Sequence, residues 1–79
     1  MKYVYILQSL LDAEHFYTGI TDDVKARLSK HNSGAVTHTK KYRPWRIKCY
    51  VAFADEDRAS AFEKYLKSGS GRAFAKARL

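Results

Sequence analysis

Two short stretches near the start of the chain alternate in the manner of β-strands. Residues 2–8 and 16–20 are dense in β-branched and aromatic side chains, which favour extended structure. The connection over residues 9–15 is short, so the pattern predicts an antiparallel hairpin. Pairing of the two strands can place the phenols of Tyr5 and Tyr17 on one face of the sheet.

A helical pattern follows the hairpin. Thr21 or Asp22 can cap a helix over residues 23–31, with Asp23 in the first turn to complement the positive end of the helix dipole. Asn-Ser-Gly at residues 32–34 is a typical C-terminal signal. The stretch from Gly34 to Trp45 then shows no clear periodicity, and loops of that length in small domains are usually functional or disordered.

The second half of the chain predicts one more strand and two helices. Residues 46–54 alternate, and one face of this strand is predicted to hold Ile47, Cys49, Val51 and Phe53. Acidic residues can cap a helix that runs from about 55 to 67. Ser-Gly-Ser-Gly at residues 68–71 is predicted to break that helix, and residues 72–79 can form a short basic terminal helix.

The order of elements is β-β-α-β-α with a short C-terminal helix. It predicts an α+β fold, a small sandwich with a three-stranded antiparallel sheet flanked by helices. A length of 79 residues predicts one domain over 1–79. The apolar run from Val4 to Leu7 is too short for a membrane span or a signal peptide, and Cys49 is the one cysteine. We therefore expect a cytoplasmic protein with no membrane association.

Positive charge is concentrated in the middle of the chain. The formal net charge is +7, and residues 25–50 contain eight basic residues and no acidic one. Such a segment favours a polyanionic partner, with a solvated basic face as the alternative. Phosphate contacts by bases and stacking by aromatic rings suggest as nucleic-acid-binding candidates Lys40, Lys41, Tyr42, Arg43, Trp45 and Arg46.

Three polar residues are placed where catalytic chemistry is plausible. Glu63 borders the apolar stripe of its predicted helix, beside a core where an unpaired acid is costly. It either pairs with a nearby base or serves as a metal ligand or general acid/base at the edge of a cleft. Arg27 and His31 are four residues apart on one helix face, where they can bind a phosphate and transfer a proton.

These residues, in this order, resemble the GIY-YIG nuclease domain. Val4-Tyr5 matches the end of the first signature, and Tyr17-Thr18-Gly19 matches the second. Tyr3 stands where the first signature has its glycine, and Thr18 replaces the central residue of the second. The similarity covers nearly the whole chain and is strongest to small stand-alone members. Gly19 is the structural residue of the motif, and the catalytic residues that complete the match are Arg27, His31 and Glu63.

The resemblance implies a three-stranded antiparallel sheet and hydrolysis of phosphodiester bonds with a single divalent cation, Mg²⁺ or Mn²⁺. Glu63 would hold the cation, and Arg27 would bind the scissile phosphate. Tyr5 and Tyr17 would position or deprotonate the attacking water, assisted by His31. One carboxylate suits Mg²⁺, which keeps several waters when it binds to proteins.

Two alternatives to a DNA endonuclease remain at this point. The first is a nucleic-acid-binding module that does not cleave and uses the basic segment 34–48. The second is an interaction domain whose basic charge is incidental. For a nuclease the expected substrate is DNA, with branched, nicked or single-stranded forms as candidates. Specificity is expected to come from the loop, from the basic C-terminus or from a partner protein, and a homodimer is a further candidate state.

Overall fold

The strands form one antiparallel sheet in the order β2-β1-β3. The computed structural model describes residues 1–79, and its elements are β1 (Lys2–Ser9), β2 (Phe16–Thr21), α1 (Val24–Asn32), a 3₁₀ turn (Lys40–Tyr42), β3 (Trp45–Phe53), α2 (Glu56–Lys67) and α3 (Gly69–Arg78). The prediction of an α+β fold with a three-stranded antiparallel sheet flanked by helices is confirmed.

The central strand β1 is buried on both faces. Val4, Tyr5, Ile6 and Leu7 are each at most 5% exposed, because neighbouring strands flank β1 and helices cover the sheet. Such a strand has a continuous apolar run instead of a strict alternation of apolar and polar residues. Its odd- and even-numbered side chains nevertheless point to opposite faces, and this divides the core into two clusters.

One cluster lies between the sheet and α2. Val4 and Ile6 from β1 pack against Ala59 and Leu66 from α2, and all four residues are at most 5% exposed. Phe62 on α2 packs against the edge of this cluster. The spacing of these three helix residues is the i, i+3, i+7 pattern of an amphipathic helix, so α2 is held to the sheet by an apolar stripe.

The second cluster lies on the opposite face, under α1. Tyr5 and Leu7 from β1 meet Trp45 from the start of β3, and Val24 and Leu28 from α1 pack against them. This cluster contains a phenol and an indole, whose polar atoms need hydrogen-bond partners when buried. The face under α1 is therefore the one on which polar side chains are drawn into the core.

A β-bulge in β3 changes the predicted face of one residue. Ile6 pairs with Cys49, but the next residue of β1 pairs with Ile47, so Lys48 is an extra residue in the ladder. An inserted residue reverses the faces of everything beyond it. The prediction that Ile47 shares a face with Cys49 is therefore wrong, and Ile47 packs against the cluster under α1.

The first helix begins one position later than predicted. Asp23 is the N-cap itself, and its Oδ1 accepts a hydrogen bond of 3.0 Å from the Ala26 amide. Thr21 instead accepts a hydrogen bond from the Asp23 amide, which shapes the turn before the helix. At the other end Gly34 has a φ of +85°, a conformation that glycine adopts at low cost and that lets the chain leave the helix.

The Ser-Gly-Ser-Gly segment belongs mostly to the last helix. Ser68 ends α2 and also caps α3, because its hydroxyl accepts from the Gly71 amide at 3.1 Å. A side chain on Gly71 would collide with the backbone of Tyr65 and Leu66, so glycine allows α3 to turn sharply against α2. The predicted start of this helix at residue 72 was therefore too late. None of the helices has the length and apolar character needed to cross a membrane.

Candidate active site

Tyr5 extends from the central strand over its neighbour β2, where Gly19 is its pairing partner. A methyl group on Gly19 would collide with the Tyr5 hydroxyl and lie 2.6 Å from its Cζ atom. Gly19 therefore provides the space that the Tyr5 ring occupies. Tyr17 lies two residues away on the same face of β2, and its ring centre is 6.3 Å from that of Tyr5. The expected placement of both phenols on one face is observed.

His31 joins the two tyrosines from α1. Its Nε2 atom lies 3.0 Å from the Tyr5 hydroxyl oxygen, and its ring centre is 4.9 Å from that of Tyr17. His31 is 1% exposed. Burial, reinforced by the positive charges of Arg27 and Lys30, lowers the pKa of His31, so the ring is neutral at pH 7.

The buried phenol of Tyr5 is also kept in its neutral form. The pKa of Tyr5 is raised to about 12, chiefly by burial and also by Tyr17 and Glu63, while the positive charge of Arg27 lowers it. Tyr5 therefore holds its proton in the free protein. Tyr17 is only half-buried and its hydroxyl has no hydrogen-bond partner within the protein, so it is the more accessible of the two phenols.

The loop before β3 contacts His31 on its buried side, away from Tyr5. Thr39 is 1% exposed, and its hydroxyl oxygen lies 2.7 Å from His31 Nδ1. The Trp45 indole donates to the Thr39 carbonyl at 2.8 Å. The Asn32 side chain bonds both backbone groups of Trp45, at 2.6 Å and 3.0 Å. The segment without periodicity is therefore held to the core through polar groups instead of an apolar stripe.

Arg27 lies at the rim of the cluster, one turn before His31 on α1. Its positive charge lowers the pKa values of Tyr5 and of His31, so the guanidinium lies within electrostatic range of both rings. A surface cavity of about 310 Å³ opens beside Arg27, and Lys2 and Lys30 also line it. Arg27 can present a planar fork of donors to a phosphate here.

Acidic residues on the same cavity are locally compensated. Asp22 pairs with Lys2 at 2.8 Å, and this hydrogen bond lowers the pKa of the Asp22 carboxyl. Asp23 accepts the Ala26 amide at the positive end of α1. Because both carboxylates are engaged with positive groups, their charges are partly compensated where a phosphate would approach Arg27.

Glu63 approaches the tyrosines from the other layer of helices. Its side chain on α2 is 16% exposed, and its carboxylate pairs with Lys67 at 2.7 Å. The negative charge of Glu63 raises the pKa of Tyr5, so the carboxylate lies within electrostatic range of the phenol. The predicted pairing with a base is therefore present, and the Glu63 carboxylate is also within electrostatic range of the candidate catalytic phenol.

The single carboxylate of Glu63 fits a cation that keeps most of its waters better than a cation held by several protein ligands. No group of three or more His, Cys, Asp or Glu side chains is arranged to hold a metal ion. Zinc and calcium sites need several protein ligands, whereas Mg²⁺ commonly keeps its waters and uses one or two carboxylates together with substrate phosphate. Glu63 alone meets the second requirement.

The basic candidates of the middle segment lie at the surface. Their side chains are exposed and available to a polyanion in four cases, Lys40, Lys41, Arg43 and Arg46. The two aromatic candidates differ from expectation. Trp45 is 5% exposed in the core, and the Tyr42 ring is stacked on His15 with centres 3.7 Å apart. Their burial and stacking do not fit the expected role of stacking on bases.

Sequence reasoning missed two residues that contact the candidate catalytic groups. Lys67 follows Glu63 by four residues, and that spacing on a helix could have revealed the ion pair. Thr39 gave no signal, because its role depends on a loop that folds back beneath His31.

Comparisons with known proteins agree with this geometry. A family model described as the GIY-YIG catalytic domain matches residues 1–76. A UPF0213 protein of Lacticaseibacillus paracasei is 41% identical over 66 residues, which cover 82% of this chain and 72% of that protein. The structure-specific endonuclease subunit SLX1 of Debaryomyces hansenii is 37% identical over 71 residues, covering 81% of this chain but 20% of that protein.

A solved structure supports the same assignment. The solution NMR structure of a UPF0213 protein from Bacillus halodurans superposes with a TM-score of 0.58 at 35% identity, over 98% of this chain and 82% of that one. Sequence and fold therefore agree over almost the whole chain. The matched residues include both tyrosine strands, α1 with Arg27 and His31, and α2 with Glu63. The chain belongs to the GIY-YIG nuclease family.

Proposed function

We propose that this protein is an endonuclease that hydrolyses phosphodiester bonds in DNA with one divalent cation, Mg²⁺ or Mn²⁺. The observation that carries the proposal is the joining of Tyr5 to His31 by a 3.0 Å hydrogen bond, with Tyr17, Arg27 and Glu63 around them. A phosphate-binding guanidinium, a second phenol and a carboxylate then lie within electrostatic range of the Tyr5 hydroxyl, which is hydrogen-bonded to His31.

Each protein group has a distinct part in the proposed reaction. Arg27 binds the scissile phosphate and stabilises the charge that develops on its oxygens. Tyr17, whose hydroxyl is free of protein partners, orients the attacking water and takes its proton while its own phenolic proton passes to solvent. Tyr5 and His31 hold that arrangement in place from the buried side. The positive charge of Arg27 favours the ionised form of Tyr5.

Glu63 is the proposed ligand of the cation. When bound, a divalent cation polarises a phosphoryl oxygen and neutralises charge on the leaving group. Because Lys67 pairs with the Glu63 carboxylate at 2.7 Å, the ammonium group must move aside to free that oxygen. In the free protein the ammonium group of Lys67 compensates the negative charge of the partly buried Glu63 carboxylate.

The exposed basic segment supports nucleic acid as the substrate. Lys40, Lys41, Arg43 and Arg46 are proposed to contact phosphates that flank the cleaved bond. One relative is a subunit of a structure-specific endonuclease, which supports branched or nicked DNA as substrate and a partner protein as the source of specificity. We extend the proposal to a cytoplasmic location, in keeping with the single free cysteine. A homodimer is the alternative assembly.

A cleavage assay tests the proposal. Wild type and Glu63→Ala are incubated with Mg²⁺ or Mn²⁺ and labelled single-stranded, duplex, nicked, flap and four-way-junction DNA. We expect cleavage by wild type and a loss of at least about 100-fold in Glu63→Ala, because the cation loses its carboxylate ligand. Glu14→Ala, which removes an exposed carboxylate from the β1–β2 loop, is the matched control and should cleave normally.

The same assay addresses the alternative of a binding module. Exposure of four basic side chains between residues 40 and 46 favours nucleic-acid binding whether or not the chain cleaves. Retention of DNA that weakens with rising salt, with no cleavage of any substrate by wild type, would replace the nuclease proposal by that alternative. Equal cleavage by wild type and Glu63→Ala would exclude Glu63 as the metal ligand.

A further inference from the structure

The reaction proposed above does not use the buried contact between His31 and Thr39. Thr39 Oγ1 lies 2.7 Å from His31 Nδ1, and both residues are 1% exposed. The opposite ring nitrogen, Nε2, faces the Tyr5 hydroxyl at 3.0 Å. A neutral imidazole carries its proton on one nitrogen and accepts on the other, so the partner of Nδ1 determines what Nε2 can do for Tyr5.

The surroundings of Thr39 indicate where its hydroxyl proton goes. Apart from His31, the one acceptor near this hydroxyl is the Val36 carbonyl, at 3.4 Å. That carbonyl already accepts the backbone amides of Thr39 at 3.2 Å and of Lys40 at 3.0 Å. A carbonyl oxygen has two lone pairs, so a third and longer bond there is weak. The hydroxyl proton is better placed on the 2.7 Å bond to His31 Nδ1.

We infer that Thr39 donates to His31 Nδ1 and thereby keeps the proton of the ring on Nε2, from which His31 donates to the Tyr5 oxygen. Thr39 is then a positioning residue that acts through His31. This inference rests on the proposed function for its catalytic meaning, but the position of the proton is a property of the free protein.

The direction of the Tyr5–His31 bond changes the part that His31 plays. A histidine that donates to Tyr5 does not remove the phenolic proton. It supplies a hydrogen bond that becomes stronger when the Tyr5 oxygen gains negative charge. The phenolic proton of Tyr5 is then not bonded to His31, and the Tyr17 ring lies on the same face with its centre 6.3 Å from that of Tyr5.

The loop is built to hold Thr39 in this place. Its carbonyl accepts the Trp45 indole at 2.8 Å, so the backbone of Thr39 is tied to a core residue. Trp45 is in turn bonded through its own backbone to Asn32, the residue after His31. The loop is therefore hydrogen-bonded to the last turn of α1 at two places, from Thr39 to His31 and from Trp45 to Asn32.

Long-range ¹H–¹⁵N spectra of the free protein test the inference, because they distinguish a protonated ring nitrogen from an unprotonated one. His31→Gln identifies the signals of His31 among the three histidines. Wild type at pH 7.5 should show the proton on Nε2. Thr39→Val, which has the same shape without the hydroxyl, should shift His31 to a mixture of tautomers, and Thr39→Ser should restore the wild-type spectrum.

Cleavage rates complete the test. Thr39→Val should lower the rate about 10- to 100-fold, the usual cost of removing the group that orients a functional histidine. Thr39→Ser should stay within about 3-fold of wild type, and Thr37→Val, an exposed change in the same loop, should have no effect. Should Thr39→Val fail to fold, the spectra of wild type and Thr39→Ser still decide the proton position.

Two results would overturn the inference: a wild-type proton on Nδ1, or a Thr39→Val spectrum identical to that of wild type. Both are read without DNA or metal. Absence of cleavage by wild type, with the expected spectra, would instead contradict the proposed nuclease function and leave intact the inference that Thr39 sets the proton position of His31.

Discussion

The two faces of the sheet are made from the same strands but are held by different forces. On one face Val4 and Ile6 meet α2 through side chains that carry no polar atom. On the other, Tyr5 and its neighbours meet α1 through a chain of hydrogen bonds that runs through His31 to Thr39. The apolar face tolerates changes of shape at the cost of stability, whereas the polar face depends on each partner.

The two faces should differ most in how far one substitution lowers the free energy of unfolding, and Leu66→Ala and Tyr17→Phe test this. Leu66 is 3% exposed under α2, so its truncation should lower the free energy of unfolding by about 2–5 kcal/mol. Tyr17→Phe retains the ring and removes a hydroxyl without protein partners, so stability should stay within about 0.5 kcal/mol. Urea unfolding measures both values.

The cleavage rate should show the reverse order. Tyr17→Phe is expected to lose about 10²- to 10⁴-fold, the usual contribution of a positioned acid/base group. Leu66→Ala should cleave normally at a temperature where it remains folded. A Tyr17→Phe variant that cleaves like wild type would mean that the polar face does not provide the proton acceptor.

A smaller effect is expected at Gly19, where the polar face has no spare volume. Gly19→Ala adds a methyl group that collides with the Tyr5 ring, and overpacking of this kind costs about 1–3 kcal/mol. Displacement of Tyr5 should also weaken cleavage. Gly69→Ala is the control, because a methyl group there meets nothing within 4 Å. Equal melting temperatures for the two variants would contradict the close approach of Tyr5 to β2.

The smallest expected effect is a pH dependence confined to the polar face. The folded-state pKa of His31 is lowered, chiefly by burial, so below pH 6.5 the unfolded chain binds a proton more readily than the folded one. The stability contributed by neutral His31 is therefore present above pH 6.5 and is lost as pH falls through the folded-state pKa.

Thermal melts between pH 7.5 and 5.5 measure this loss. Wild type should melt at progressively lower temperature on acidification, and His31→Gln should show a shallower decline. Leu66→Ala changes only the apolar face, so it should be shifted down at every pH and keep the wild-type slope. A slope in His31→Gln as steep as that of wild type would assign the pH dependence to other groups.

Local patterns were sufficient to predict the order of the elements and which elements hold the candidate site residues. The alternation around Tyr5 and Tyr17 predicted the hairpin and the shared face of the phenols, both of which the structure contains. Helical spacing brought Arg27 beside His31 and put Glu63 at the border of an apolar stripe. Such features depend on residues that are close together in the sequence, so the periodicity of residue types can predict them.

Features that depend on distant contacts were not predictable in this way. Lys48 is an extra residue at the point where the pairing of β3 with β1 shifts by one position, and this reverses the face of Ile47. The sequence predicts Trp45 as an exposed aromatic residue in a basic loop, yet hydrogen bonds to Asn32 and Thr39 hold it in the core. Neither result follows from residue types alone, since each is set by which strand or loop the residue meets.

Residue types and their spacing were enough to predict the α+β class, the order of the elements and the residue types of the candidate site, because these follow from local periodicity and from a signature of tyrosines, arginine, histidine and glutamate. Only the folded structure shows that Thr39 lies beneath His31, that Trp45 is in the core and that the Glu63 side chain is mostly buried. The physical reason is that the direction of a hydrogen bond and the burial of a charge depend on atoms brought together only when the chain folds.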